Sequence, residues 1–220
     1  MTTIKPEPLP VADLDHATRD GPALDEHAIS QGLLPWRDQV LTWLAHGTER
    51  TVMHDGPPMP ETTELSADLT FANQAGLLTL CSQPARADQR AFLEALAPPG
   101  MAARLAAHLI AAGLWVSAWP ITGPYPSTTR VLVTAAYLPT TGMAPLGTDD
   151  PQPRGYAPSD EPDLARDIAD DTLALHQNDH AVAASWWLMI TDPEWDRTRY
   201  LWDAVAETLN VSATKTKEMA

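Results

Sequence analysis

The sequence predicts an α/β domain, with α+β as its variant, in which a mixed central sheet of about four or five strands is flanked by helices. Three observations lead there. Hydrophobic residues make up 44% of the 220 residues, enough to bury one core. Amphipathic helical patterns alternate with short apolar runs rich in β-branched and aromatic residues. Between Pro60 and Pro84 a helical pattern, a glycine stop, an apolar run and a proline-locked turn follow one another directly.

In that stretch Leu65, Leu69 and Ala72 recur at helical spacing over roughly four turns, and Gly76 is a C′ stop. Leu77 to Cys81 reads as a buried strand that leaves into the turn Ser82-Gln83-Pro84. Pro84 fixes its own φ and keeps Gln83 out of the helical region, so the turn is preformed. If the strand lies antiparallel beside the helix, Glu61-Thr62 at the helix start meets Thr79 and Ser82 at the strand end. Hydroxyls at turns often serve only local backbone bonding, and that alternative stands beside the functional one.

Around this unit, residues 1–30 carry Pro6, Pro8, Pro10 and Pro22 among acidic residues and are expected to be a flexible arm. Residues 31–210 form the single domain, and 211–220 a flexible tail. Trp36, Val40, Trp43 and Leu44 mark a short helix ended by Gly47. His54-Asp55 lies in a loop and lacks the second cluster that a metal or phosphohydrolase site needs. Gln89 to Leu96 fits strand or helix by pattern alone. Met101 to Ala112 is an Ala/Leu helix, with His108 read as structural. Leu114 to Ile121 and Arg130 to Leu138 read as strands.

Residues 139–162 are a proline-rich surface loop, followed by a helix with Leu164, Ile168 and Leu175 on its apolar stripe. His176 and His180 have helical spacing for a metal, but the helix is expected to end before both can act, so no metal is assigned. Ser185 to Ile190 is a buried strand, turned by Asp192-Pro193. Leu201, Val205 and Leu209 set the last helix on the core.

Charge and cysteine usage exclude several functions. A net charge of −15 leaves no basic patch for nucleic-acid phosphates. It is usually a solubility feature, although an acidic surface can also meet a protein partner. The single cysteine, Cys81, permits no internal disulfide and no Cys-based zinc site, and points to the cytoplasm. No run approaches the roughly 18 apolar residues of a membrane span, so the chain is expected to be soluble. P-loop, G-x-S-x-G and H-E-x-x-H motifs are absent, as is the glycine-rich loop expected of a methyltransferase.

The residues Asn73-x-x-Gly76-Leu77-Leu78-Thr79-x-x-Ser82-Gln83-Pro84, with Glu61-Thr62 about eighteen positions before Thr79, carry a resemblance. They resemble the C-terminal regulatory domain of eukaryotic methylenetetrahydrofolate reductase, which binds S-adenosylmethionine. Three further segments agree in order. Gln89-Arg90-Ala91-Phe92-Leu93-Glu94 is similar to its Q-K-A-Y-L-E strand, and the Ala/Leu helix and Gly113-Leu114-Trp115-Val116 follow as in that domain. Val133 to Pro139 is similar to V-T-W-G-I-F-P, and Leu201 to Leu209 to L-W-Q-V-V-E-D-T-L. The same S-Q-P segment resembles a stand-alone bacterial family, mostly from actinobacteria and their phages.

The resemblance implies strand for Gln89 to Leu96 and a ligand site made by Glu61, Thr62, Thr79, Ser82 and Thr134. One further threonine of the family falls on Gly147. The reductase's flavin barrel has no room here, which implies a non-catalytic sensing domain for S-adenosylmethionine or S-adenosylhomocysteine with no required cofactor. An acidic protein-interaction module that keeps the fold without the ligand, and a small enzyme, are the alternatives.

Overall fold

In a computed structural model, the residues described are 25–47, 51, 54, 56–86, 89–121, 137–138, 142–143, 180–195 and 197–218. The helices are α1 (Glu26–Gly32), α2 (Leu34–His46), α3 (Pro60–Glu64), α4 (Ser66–Gln74), α5 (Pro99–Ala111), α6 (His180–Ala183) and α7 (Tyr200–Glu218). The strands are β1 (Leu78–Gln83), β2 (Arg90–Ala97), β3 (Trp115–Pro120), β4 (Tyr137–Leu138), β5 (Gly142–Met143) and β6 (Trp186–Trp195).

Four strands form the central sheet in the order β1-β2-β6-β3, and β4 pairs with β5 separately. The α/β reading holds in its α+β form. Every pairing in the central sheet is antiparallel rather than mixed. The physical reason lies in the connections. β1 and β2 are joined by a tight hairpin, which permits only the antiparallel sense. β2 and β3 run the same way, linked by α5, but β6 lies between them and opposes both.

Helices cover both faces. One face packs on α4, α5 and α7 through Leu69, Leu105, Leu109, Leu201 and Trp202. The other packs on α1, α2 and α6 through Ile29, Leu33, Val40 and Val182. With both faces covered, Ala91 to Ala97 are buried without alternation, which is why this strand has no period of two in sequence.

Two helices end as their glycines dictate. Gly76 has φ 116°, and the N–H groups of Gly76 and Leu77 donate to the carbonyls of Asn73 and Ala72, the paired bonds of a Schellman stop. Gly113, at φ 82°, repeats this with Ile110 and Leu109.

The structure corrects several boundaries. The expected four-turn helix is two helices, broken at Leu65 (φ −93°, ψ 4°), where the β-branched pair Thr62-Thr63 and Ser66 favour helix weakly. Residues 26–30, counted with the arm expected over 1–30, belong instead to α1, which starts at Glu26 and buries Ile29; residues 1–24 of that expectation lie outside the described residues. The last helix runs to Glu218, through most of the expected tail. Asp192-Pro193 does not end its strand. Asp192 accepts from the Glu194 N–H at 2.9 Å inside a bulge, and pairing resumes at Trp195 with Arg90. His108, read as structural, is exposed on α5. The loop at 139–162, the helix stripe Leu164 to Leu175 and most of the strand from Arg130 lie outside the described residues.

Among the described residues no helix is long and apolar enough to cross a membrane.

Candidate functional site

The sheet edge formed by β1 carries a cavity of about 360 Å³, within the size range of small-molecule sites. Its wall comes from five places: Trp43 and Leu44 of α2, the loop residues His54, Gly56, Pro57 and Met59, Glu61 and Thr62 of α3, Leu69 of α4, and Thr79 to Ser82 of β1. Four of the five residues expected from sequence, Glu61, Thr62, Thr79 and Ser82, therefore line one space. The fifth, Thr134, lies outside the described residues.

Each is placed by a local feature. Pro60 occupies the first turn of α3, where its missing N–H costs nothing, and Glu61 and Thr62 follow it. The break at Leu65 separates this short helix from α4. On β1 the pairing with β2 slips: Thr79 faces Ala95 and Cys81 faces Glu94, leaving Leu80 as the extra residue of a bulge. The bulge re-aims the strand so that four consecutive residues, Thr79 to Ser82, contribute to the wall. The turn beyond is braced by Gln83 Nε2 donating to the Arg90 carbonyl and Gln89 Nε2 to the Pro84 carbonyl, both at 2.9 Å.

Thr79 is held from behind by Asn73. Asn73 Nδ2 donates to the Leu69 carbonyl at 2.8 Å and to Thr79 Oγ1 at 2.7 Å, while its Oδ1 accepts from the Thr79 N–H at 3.3 Å. The Asn73 carbonyl accepts from Arg37, which also donates to the Ser30 carbonyl. One buried network thus joins α1, α2, α4 and β1.

The loop side is built on His54. Its ring stacks on Trp43 with centroids 4.0 Å apart and planes 13° apart, and Trp43 Nε1 donates to the Gly56 carbonyl at 2.9 Å. His54 Nε2 stands 3.0 Å from the Leu80 carbonyl, so it carries the proton and donates. Nδ1 then accepts from the Thr51 hydroxyl at 3.1 Å. Burial pushes the His54 pKa down, partly offset by the Leu80 carbonyl, which keeps the ring neutral near pH 7.

The cavity therefore offers a carboxylate, three hydroxyls, edge-strand backbone and an aromatic slab. With both ring nitrogens engaged, His54 has no lone pair aimed at a substrate. Cys81 is half-buried, and burial, then Glu94, push its thiol up to about 12, far from a thiolate at neutral pH. Neither is set up as base or nucleophile, and the remaining groups suit binding by hydrogen bonds and charge.

Sequence reading missed Trp43, His54 and the supporting Asn73. Trp43 looked like core, which it also is. Only its sequence distance from Gly56, bridged by the indole N–H, makes it part of the wall, and no local pattern encodes that.

The fold and cavity define a single α+β domain with a preformed small-molecule-sized site on the edge of its sheet. The chain belongs to the family described as Domain of unknown function (DUF6919), whose model matches residues 38–212, a span that holds every cavity residue. Comparison with curated proteins gives no match.

Proposed function

We propose that this protein is a non-catalytic, ligand-sensing domain whose cavity takes S-adenosylmethionine or S-adenosylhomocysteine. One observation carries the reading: Glu61, Thr62, Thr79 and Ser82, nominated by the resemblance to the reductase regulatory domain, stand around a single cavity. The chemistry fits such a nucleoside. A carboxylate answers a sulfonium or ammonium charge, the hydroxyls answer the amino acid head group and ribose, and the Trp43–His54 slab offers an apolar face. The same proposal places the protein in the cytoplasm, on its lone cysteine, and away from nucleic acid, on its net charge of −15.

Isothermal titration with both nucleosides tests it. The wild type is expected to bind at least one of them, and Glu61→Ala and Thr79→Val to weaken that binding at unchanged fold. Absence of heat from either nucleoside at millimolar concentration overturns the ligand assignment and leaves the acidic interaction module as the better reading.

A further inference from the structure

Among the described residues no charged side chain is paired with the Glu94 carboxyl. It occupies the middle of β2 on the face covered by α1 and α2, opposite Cys81 on β1 and Met189 on β6, and it is only 6% exposed. The surrounding cluster, Phe92, Leu96, Met189 and Leu78 among others, is apolar. A lone carboxylate in such a place is costly, and burial pushes the group up to about 8, so it holds its proton at neutral pH.

The titratable groups facing it are few. On β1 there is Cys81, whose thiol feels Glu94 and stays protonated. β6 presents Met189. On the covering helices Arg37 is buried, but its guanidinium is directed to the Ser30 and Asn73 carbonyls. Glu26, His27, Asp38 and His46 of α1 and α2, and His180 of α6, are exposed. The other buried acid among the described residues, Asp192, is paired with Arg197.

Cys81 is at once the cross-strand partner of Glu94 and part of the cavity wall, so one side chain separates the buried carboxyl from the ligand space. A positive charge set against the Leu80–Cys81 wall would be close to Glu94 in a medium that screens little.

We propose that Glu94 is a proton-releasing counter-charge for a cationic occupant of the cavity. When a sulfonium group binds against this wall, the Glu94 O–H bond breaks, the proton passes to solvent and the carboxylate remains behind the wall. A neutral thioether binds without this loss. The inference rests on the small-molecule reading above, and makes Glu94 the residue that discriminates charged from neutral ligand.

Titration calorimetry near pH 7, in buffers of different ionisation enthalpy, counts the protons. With S-adenosylmethionine the wild type is expected to release more than half a proton per molecule bound, and with S-adenosylhomocysteine nearly none. Glu94→Gln, nearly isosteric with the protonated acid, is expected to bind both without release, its preference for the cation reduced about tenfold. S-adenosylmethionine binding to the wild type without proton release, or equal release by Glu94→Gln, overturns this inference alone. No binding of either nucleoside overturns the small-molecule reading, and this inference with it.

Discussion

Asn73 and Thr79 hold each other by a reciprocal pair of hydrogen bonds, side-chain amide to hydroxyl at 2.7 Å and backbone N–H to side-chain carbonyl at 3.3 Å. Because Asn73 Nδ2 also faces the Leu69 carbonyl, the amide has one orientation. The Thr79 hydroxyl is therefore an acceptor toward Asn73, and its own hydrogen is left to donate toward the cavity. Asn73 acts on the site through Thr79, as a positioning residue.

Thr79→Ser keeps that donor and is expected to retain ligand affinity, whereas Thr79→Val is expected to lower it about tenfold, the worth of one hydrogen bond. Equal affinities in the two variants would show that Thr79 does not touch the ligand.

Asn73→Ala strands the buried Thr79 N–H, removes the donor to the Thr79 hydroxyl and unties β1 from α4. A loss of about 2–4 kcal/mol in unfolding free energy is expected, measured by chemical denaturation. A loss below about 1 kcal/mol would mean that water replaces the amide.

Glu94 makes stability fall with rising pH. Below the ordinary carboxyl value of 4.5 it is protonated in both folded and unfolded chains, and its contribution is constant. Between 4.5 and about 8 the unfolded chain ionises while the folded one does not, so stability is lost across that window. The loss is bounded at roughly 5 kcal/mol by the size of the shift. Glu94→Gln removes the window, and the variant is expected to gain on the wild type steadily from pH 5 to pH 8 in denaturant midpoints. Parallel curves would place the Glu94 carboxyl in contact with water.

Gly76→Ala tests the stop that sends the chain from α4 into β1. At φ 116° an alanine is strained, and its Cβ would lie 2.9 Å from Met101 Cε. A cost of about 2 kcal/mol is expected in the same denaturation assay, more than for an ordinary glycine exchange.

Asp192 is 0% exposed and accepts from both Arg197 Nε and a terminal nitrogen, with the Arg197 guanidinium lying over the Tyr200 ring. Asp192→Ala is expected to cost about 3 kcal/mol, since it removes the acceptor of a bidentate pair and of the Glu194 N–H that forms the bulge. Arg197→Lys, which keeps the charge and loses the fork, is expected to cost less.

Much of this arrangement was legible in the sequence because it is encoded locally. Gly76 and Pro84 bracket β1, and the spacing of Glu61-Thr62 from Thr79 and Ser82 matches a helix returning along a strand. Elsewhere the determinant was tertiary. Arg90 to Ala97 shows no alternation because helices cover both of its faces, and it read as strand only through the resemblance. Asp192-Pro193 carried the signature of a turn, but a bulge absorbs it within a strand that the sheet holds on both sides. The break at Leu65 has no glycine or proline to announce it. Trp43 and His54 meet by stacking across a loop, and Glu94 sits in an apolar pattern as an exception whose burial is set by the helices laid over it.

The most direct test of the central claim is a crystal structure of the protein soaked with S-adenosylmethionine. Ligand density bounded by Glu61, Thr62, Thr79 and Ser82, with the Trp43–His54 pair along one side, is the predicted result. A well-occupied ligand elsewhere on the molecule, or an unaltered cavity at saturating concentration, would contradict it.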